Sequence, residues 1–514
     1  MATVFLKQTI KQASIIIGVF TICSQLFGLV REAIIANYFG TSAEYDILLV
    51  ALAIPLMVAS ILFAAIPSAG IPHLQGSRVT PAGSGNIFRS AFFNINTILI
   101  IGVAVVVFLV LPLFRGLLTH GMDEQSAEAV VTFGRFFCLL IPLRSYEAVF
   151  RSLLHLKHHF LVPSATAVIF NVTIIIILLT LFHSLQSHAF VLAWVAGMFV
   201  QTLIVAVPAY LIYRRNQESG GASAFRPSAY MRYLGVIILI ESIGLTIDPF
   251  DRYLGGIFLD PGYVSATAYA NIIYFIPLRI FVYSLATAIF PSLSERAEEK
   301  DTAGIAGLYH RALALCVMLV VPTVVFFFLF KNEIIWLLFE RGRFVIQSRL
   351  ITEQILSWLL VGLFFNSAFL IQVKVIYALK SWRYFTVVRI LTMALKVAVG
   401  FYFIKSNWAL ALGGGTAALF VVSFVLMEVY LVFGKKLSYS AEDRKLVGKG
   451  VLAALGAVVV FLLAYYATTQ LAGLHPLAPA VIVGVVGFGA LILLDQTLTV
   501  SGINLRRYLP GKRG

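Results

Sequence analysis

Apolar runs of about 20 residues recur along the whole sequence, and they limit what the chain can become. A helix of that length crosses a bilayer, and in lipid only helices and closed barrels satisfy their own backbone polar groups. Fourteen spans are expected, near residues 12–38, 46–72, 89–114, 128–153, 161–183, 189–213, 230–256, 263–290, 304–330, 350–379, 384–404, 407–434, 447–470 and 476–497. The fold class that follows is an all-α polytopic membrane protein. Charged residues make up 12% of the chain, half of the roughly 25% usual in soluble domains, which excludes a soluble enzyme.

The net charge of +15 fits either nucleic-acid binding or basic cytoplasmic loops. Nucleic acid would need a basic soluble module, and none is present. The basic residues fall instead in alternate loops, at Lys7 and Lys11, Arg78, Lys157, Arg214 and Arg215, Arg296 and Lys300, Lys380 and Arg383, Lys435 and Lys436, and in the tail at Arg506 and Arg507. The positive-inside rule then places both termini in the cytoplasm of a bacterial inner membrane, with the basic loops facing anionic headgroups. Arg341 and Arg343 are the exception, because they fall in a loop expected outside. The N-terminus runs into the first span without a small-residue cleavage site and reads as retained. Cys23, Cys138 and Cys316 lack metal or redox spacing and read as small core residues.

The spans repeat. Ala65-Ile66-Pro67-Ser68 near the end of span 2 resembles Ala288-Ile289-Phe290-Pro291-Ser292 near the end of span 8, and Leu156-Lys157 before span 5 is echoed by Leu379-Lys380 before span 11. Two six-helix halves of the same orientation follow. The expected division is an N-terminal lobe over 1–213, a cytoplasmic linker over 214–228, a C-terminal lobe over 229–434, and spans 13 and 14 with a basic tail over 435–514.

Charge inside a span is costly and normally faces protein or a watery cavity. Span 1 carries Arg31 and Glu32, and Asp46 opens span 2. Span 4 carries Arg135, Arg144, Glu147 and Arg151, the last three on one helix face. Span 7 carries Glu241, Asp248, Asp251 and Arg252, span 8 Arg279, span 10 Lys374, span 11 Arg389 and Lys396, and span 12 Glu428. Near span ends, as at Arg151, Arg135 and Lys374, interhelical pairing or snorkelling accounts for the charge. Arg31 lies deeper and reads as cavity-lining, and its planar fork suits a diphosphate. Asp248 and Asp251, flanking Pro249, fit either a site for Na+ or H+ as coupling ion or a kinked helix whose Asp251 pairs with Arg252. Asn171 in span 5 either bonds a helix or lines the cavity. His155, His158 and His159 read as a headgroup-facing patch. No hydrolase, P-loop or metalloprotease motif occurs, so no catalytic residue is assigned.

The stretch SQLFGLVREAIIANYFGTSAEYDILLVALAIP resembles the opening of the MurJ family of lipid flippases, in the MOP exporter superfamily. LHLKHHFLVPSATAVIFNV, with Phe160, Pro163 and Asn171, and SATAYANIIYFIPLRIFVYSLATAIFPSLSERA are similar to the family's span 4–5 connection and span 8. The resemblance implies two lobes around a cationic cavity that opens alternately to either side, with spans 13 and 14 flanking a groove for a polyprenyl tail. Arg31, Asp46 and Ser24 match family positions. Gln25 and Ala59 stand where the family carries arginines, and Asn271-Ile272 replaces its span 8 Asp-Arg pair.

With one of four family arginines retained, the preferred reading is a flippase for a polyprenyl-diphosphate-linked exopolysaccharide or O-antigen repeat unit. Arg144, Arg252 and Arg279 are the candidates for compensating charge. A lipid II flippase of peptidoglycan synthesis is the alternative, and a cation-coupled small-molecule antiporter the second alternative. The Arg31 face argues against an exporter of cationic drugs, and no loop is large enough for a glycosyltransferase. The candidate substrate-binding set is Arg31, Ser24, Gln25, Glu32, Asp46, Arg144, Asn171, Arg252 and Arg279.

Overall fold

The structure is a computed structural model that describes residues 10–76, 91–118, 123–157, 159–215, 227–470, 477–498 and 500. His158, most of the linker and the basic tail lie outside these residues. Among the described residues there is no strand, and fourteen helices are long and apolar enough to cross a membrane, in the order expected. They are Gly18–Phe39, Ala43–Ile71, Ala91–Leu113, Glu124–Leu156, Leu161–Leu185, Ser187–Ile212, Pro227–Leu245, Tyr263–Glu298, Thr302–Leu329, Ile346–Ala378, Trp382–Phe403, Leu410–Gly434, Ala441–Thr469 and Ala478–Leu498, numbered here as spans 1 to 14. Large apolar side chains such as Ile98, Leu109, Leu463 and Val485 point outward, as a lipid-facing surface requires.

Several spans are broken where local chemistry disfavours a continuous helix. Span 4 consists of Glu124–Phe137 and Leu140–Leu156, separated by a turn at Cys138 and Leu139. Span 7 stops at Leu245, and a separate helix, Ile247–Phe258, carries Asp248, Pro249, Asp251 and Arg252. The break follows from Pro249, which cannot donate to the preceding turn but is tolerated in the first turn of a new helix. Spans 8 and 12 contain wider π-helical turns, Leu278–Val282 directly after Pro277, and Leu410–Gly414 and Tyr430–Gly434. Such turns free backbone carbonyls within a span.

Contacts group the chain into two compact units that do not coincide with the halves expected from the repeat. The first runs to Ser265 and takes in Leu338–Val345; the second comprises Ala266–Leu337 and Ile346–Gly514. Span 7 belongs to the first unit because its buried face packs against spans 2 and 3. Tyr230 and Leu234 sit in one apolar cluster with Ala59, Ile66, Phe92 and Ile100, and the Tyr230 hydroxyl donates to Asn96 Oδ1 at 2.8 Å.

The basic loop that breaks the charge pattern has a structural use in the first unit. Arg343 N donates to the Asn37 carbonyl at 3.0 Å, and its Nη1 lies 3.4 Å from Glu44 Oε2. The loop fits because Gly342 and Gly40 both adopt positive φ, 55° and 56°. A Cβ on Gly342 would stand 2.3 Å from the Asn37 carbonyl oxygen, and one on Gly40 would stand 2.1 Å from that of Arg343. The Arg343 side chain is 55% exposed, so its ion pair contributes at most about 1 kcal/mol. The glycines therefore matter more than the charge. Gly342→Ala is expected to lower the thermal unfolding midpoint of the purified protein clearly, and Arg343→Ala to shift it little; the reverse order would refute the account.

Candidate functional site

Span 1 delivers Arg31 into the first unit, where polar groups of span 5 and aromatic rings of spans 5 and 6 receive it. Arg31 Nη1 donates to Asn171 Oδ1 at 2.8 Å, and Nε donates to Glu32 Oε1 at 3.1 Å. Nη2 also donates to the same Glu32 oxygen. Asn171 Nδ2 in turn donates to the Ser24 carbonyl at 3.0 Å and lies 3.4 Å from Ser24 Oγ. Asn171 is thus oriented by both ends of its amide, with its oxygen fixed toward Arg31. The guanidinium carbon lies 5.6 Å from the Trp194 ring and 5.9 Å from that of Phe170. Cation–π attraction of this kind strengthens when water is excluded. A guanidinium has five N–H donors, and these contacts use three, leaving two for a ligand.

Ser24, Arg31, Glu32 and Asn171 are accordingly brought together. Gln25 lies half-buried on the same span. Trp194 and Phe170 complete the setting and were not singled out from the sequence, because an aromatic residue in an apolar span carries no mark of its own.

Asp46 and Arg252 have other uses. Asp46 Oδ2 accepts from Gly262 N at 2.6 Å and Oδ1 accepts from Ser265 N at 2.8 Å. Gly262 precedes the helix Tyr263–Pro277 and has no side chain to cap it. The carboxylate of span 2 supplies the missing N-cap, accepting from the third helical N–H as a local Asp or Ser would. Arg252 Nη1 donates to the Leu49 carbonyl at 2.7 Å, and Nη2 lies 2.8 Å from Asp248 Oδ2, one turn earlier on its own helix. Both residues tie helices together through these bonds. Asp248 is the partner of Arg252, in place of the Asp251 pairing considered from the sequence; Asp251 itself is buried. No group of three metal-ligating side chains occurs among the described residues.

A second polar layer lies on spans 4, 5 and 6 of the same unit. Arg151 Nε donates to Glu147 Oε1 at 3.2 Å, and its Nη2 donates to Thr166 Oγ1 at 3.1 Å. Gln201 Nε2 lies 3.4 Å from the same hydroxyl. Arg144 and Arg151 both approach the Phe63 ring, at 4.4 Å and 5.4 Å.

In the second unit, Arg279 sits on the π-helical turn of span 8, 5.6 Å from the Phe275 ring. Glu428 is a structural knot. It accepts from the Tyr309 hydroxyl, from Gln372 Nε2 at 2.8 Å and from the Tyr439 hydroxyl at 2.7 Å. Burial first, and then the Glu428 charge, pushes the Tyr439 hydroxyl well above its usual pKa. Lys396 is fully buried and donates to Thr416 Oγ1 at 2.6 Å, beside the Leu412 carbonyl of a π-helical turn.

Fourteen spans in this order define a polytopic membrane protein of the MOP-superfamily fold. Solved structures bear this out: a lipid II flippase MurJ in an inward closed conformation matches at TM-score 0.76 and 18% identity, covering 95% of this chain and 99% of that one. A multidrug-resistance MATE transporter in an outward-facing conformation matches at TM-score 0.60 and 15% identity, over 85% and 97%. The family model described as lipid II flippase MurJ matches residues 35–480, and the chain belongs to that family. Among curated relatives, a probable lipid II flippase MurJ from Aquifex aeolicus is 26% identical over 83% of this chain and 84% of its own length. One from Thermotoga maritima is 24% identical over 86% and 88%.

The Asp46 geometry separates a cap from a ligand contact. Asp46→Ala removes two charge-assisted hydrogen bonds, each worth about 1.5–3 kcal/mol, and is expected to lower the unfolding midpoint markedly, with Asp46→Asn recovering part of it. An Asp46→Ala protein of unchanged stability that fails in transport would refute the capping role.

Proposed function

We propose that this protein is a lipid II flippase, carrying the polyprenyl-diphosphate-linked precursor of peptidoglycan from the inner to the outer leaflet of the bacterial cytoplasmic membrane. Both termini lie in the cytoplasm, and transport proceeds by alternating access. The carrying observation is Arg31, a shielded guanidinium oriented by Asn171 and Glu32 with donors to spare, in a chain of the MurJ family. Its remaining N–H groups suit phosphate oxygens, which a planar fork binds bidentately. The family match and the naming of the curated relatives favour lipid II over the exopolysaccharide or O-antigen unit preferred from the sequence.

The second reading retains one specific support. Gln25 and Ala59 stand where the family carries arginines, and Ala59 is fully buried in an apolar cluster, so no charge returns at that position. A diphosphate moving through the membrane field carries several charges, each worth about 2.3 kcal/mol per 100 mV, so the membrane potential or a coupled Na+ or H+ supplies the drive. Asp248 and Asp251 are the proposed residues for such an ion.

The test is complementation of bacteria depleted of their own lipid II flippase. The wild-type chain is expected to restore growth and Arg31→Ala to fail despite normal membrane levels. Absence of rescue, together with loss of a surface polysaccharide on deletion of the gene, would replace lipid II by the second reading. Rescue by Arg31→Ala would remove the carrying observation.

A further inference from the structure

The arginines of the first unit differ in how they are partnered. Four arginines inside its spans and the Ile247–Phe258 helix are shielded from solvent: Arg31, Arg144, Arg151 and Arg252. Three have carboxylate partners, Arg31 with Glu32, Arg151 with Glu147 and Arg252 with Asp248. Arg144 has neither an ion pair nor a hydrogen bond to any described residue. It lies on Leu140–Leu156, the second helix of span 4, with its guanidinium carbon 4.4 Å from the centroid of the Phe63 ring. Arg151, two turns further along the helix, approaches the same ring.

We infer that Arg144, backed by Phe63 and flanked by Arg151, is a second oxyanion station of the transport path, which binds the diphosphate of a lipid-linked headgroup. The inference rests on the flippase reading above and adds a site to it. Stacking on an aromatic ring covers the flat face of a guanidinium and leaves its in-plane N–H groups at the edge, the geometry that phosphate oxygens take up. A ring also stabilises the cation without neutralising it. Arg31 differs, because Glu32 already cancels its charge. Arg144 has no carboxylate in direct contact, with Glu147, one turn away, bonded to Arg151, so its guanidinium N–H groups remain open to an oxyanion.

A second observation points the same way. Two donors on this single turn, Arg144 Nε and Ser145 Oγ, are buried without a hydrogen-bond partner among the described residues. Native interiors leave few such atoms, and a cluster marks a place where a further group is accommodated. Arg151, which shares the Phe63 ring with Arg144, bonds Thr166 of span 5, and Asn171, bonded to Arg31, lies five residues or about 7.5 Å of rise further along that helix.

The experiment measures binding of farnesyl diphosphate and of inorganic pyrophosphate to the purified chain in nanodiscs, beside Arg144→Gln, Arg144→Lys, Glu147→Gln and Arg31→Ala. Arg144→Gln is expected to weaken diphosphate binding at least tenfold, equivalent to about 1.4 kcal/mol, and Arg144→Lys less. Glu147→Gln, which releases Arg151 from its partner, is expected to tighten binding, a sign that a merely structural role would not produce. Stronger binding of the prenylated probe assigns the station to a lipid headgroup; equal binding assigns it to the oxyanion alone, and both support it. If Arg144→Gln and Glu147→Gln bind like wild type while Arg31→Ala loses binding, the station is overturned and the flippase reading stands. Should Arg144→Gln not fold, wild-type affinity in both Arg144→Lys and Glu147→Gln overturns it equally. The flippase reading fails separately, through complementation.

Discussion

A charge inside a membrane protein must be answered by another charge, a dipole or a ligand, and the structure is arranged around that requirement. Moving an unpaired ion into a low-dielectric interior costs several kcal/mol, more than any single apolar contact returns. Spans that would otherwise be interchangeable greasy rods acquire fixed partners through their few polar atoms. Arg31 locks span 1 to span 5 through Asn171, and Arg151 locks span 4 to span 5 through Thr166. In the second unit Glu428 gathers Tyr309, Gln372 and Tyr439 from separate stretches of chain. Lipid offers no hydrophobic preference for one helix pairing over another, so these few bonds carry much of the specificity.

The same requirement explains why intramembrane charge is not automatically a ligand site. Asp46 looks like a cavity acid in the sequence, yet both its oxygens are committed to backbone N–H groups at the start of a helix whose own N-cap position is glycine. Arg252 likewise spends its fork on a carbonyl and on the carboxylate one turn away. A carboxylate at a helix start is drawn there by the unsatisfied N–H groups and the helix dipole, whatever the protein transports.

What the sequence disclosed follows from which signals are local. Span number and order were legible because 20 apolar residues mark a crossing helix without reference to anything else in the chain. Arg31, Glu32 and Arg144 were legible as misplaced charges. The pairings were not, because Asn171, itself a candidate, lies 140 residues from Arg31, Thr166 lies 15 from Arg151, and Trp194, Phe170 and Phe63 resemble any lipid-facing aromatic residue. The break at Thr246 was half legible, since Pro249 announced a disturbance without saying whether the helix would kink or restart. The Arg341–Arg343 loop departs from the charge pattern, and its Arg343 answers Glu44 locally, whereas the positive-inside rule treats loop charges as a statement about the membrane.

The departures from the family's arginines also take on a physical form. Ala59 sits in an apolar cluster with Ala148 and Val149 of span 4, so a guanidinium at 59 would have no room in this packing. One turn further along span 2, Phe63 presents a ring, and span 4 brings Arg144 onto it. Cationic character is thus carried by span 4 against an aromatic surface of span 2. On the proposed reading, recognition of a diphosphate depends on how many guanidinium groups have N–H donors open to the oxyanion, more than on which helix carries each one. On that reading, a sequence without an arginine on one span keeps the chemistry when a neighbouring span supplies a guanidinium with free donors.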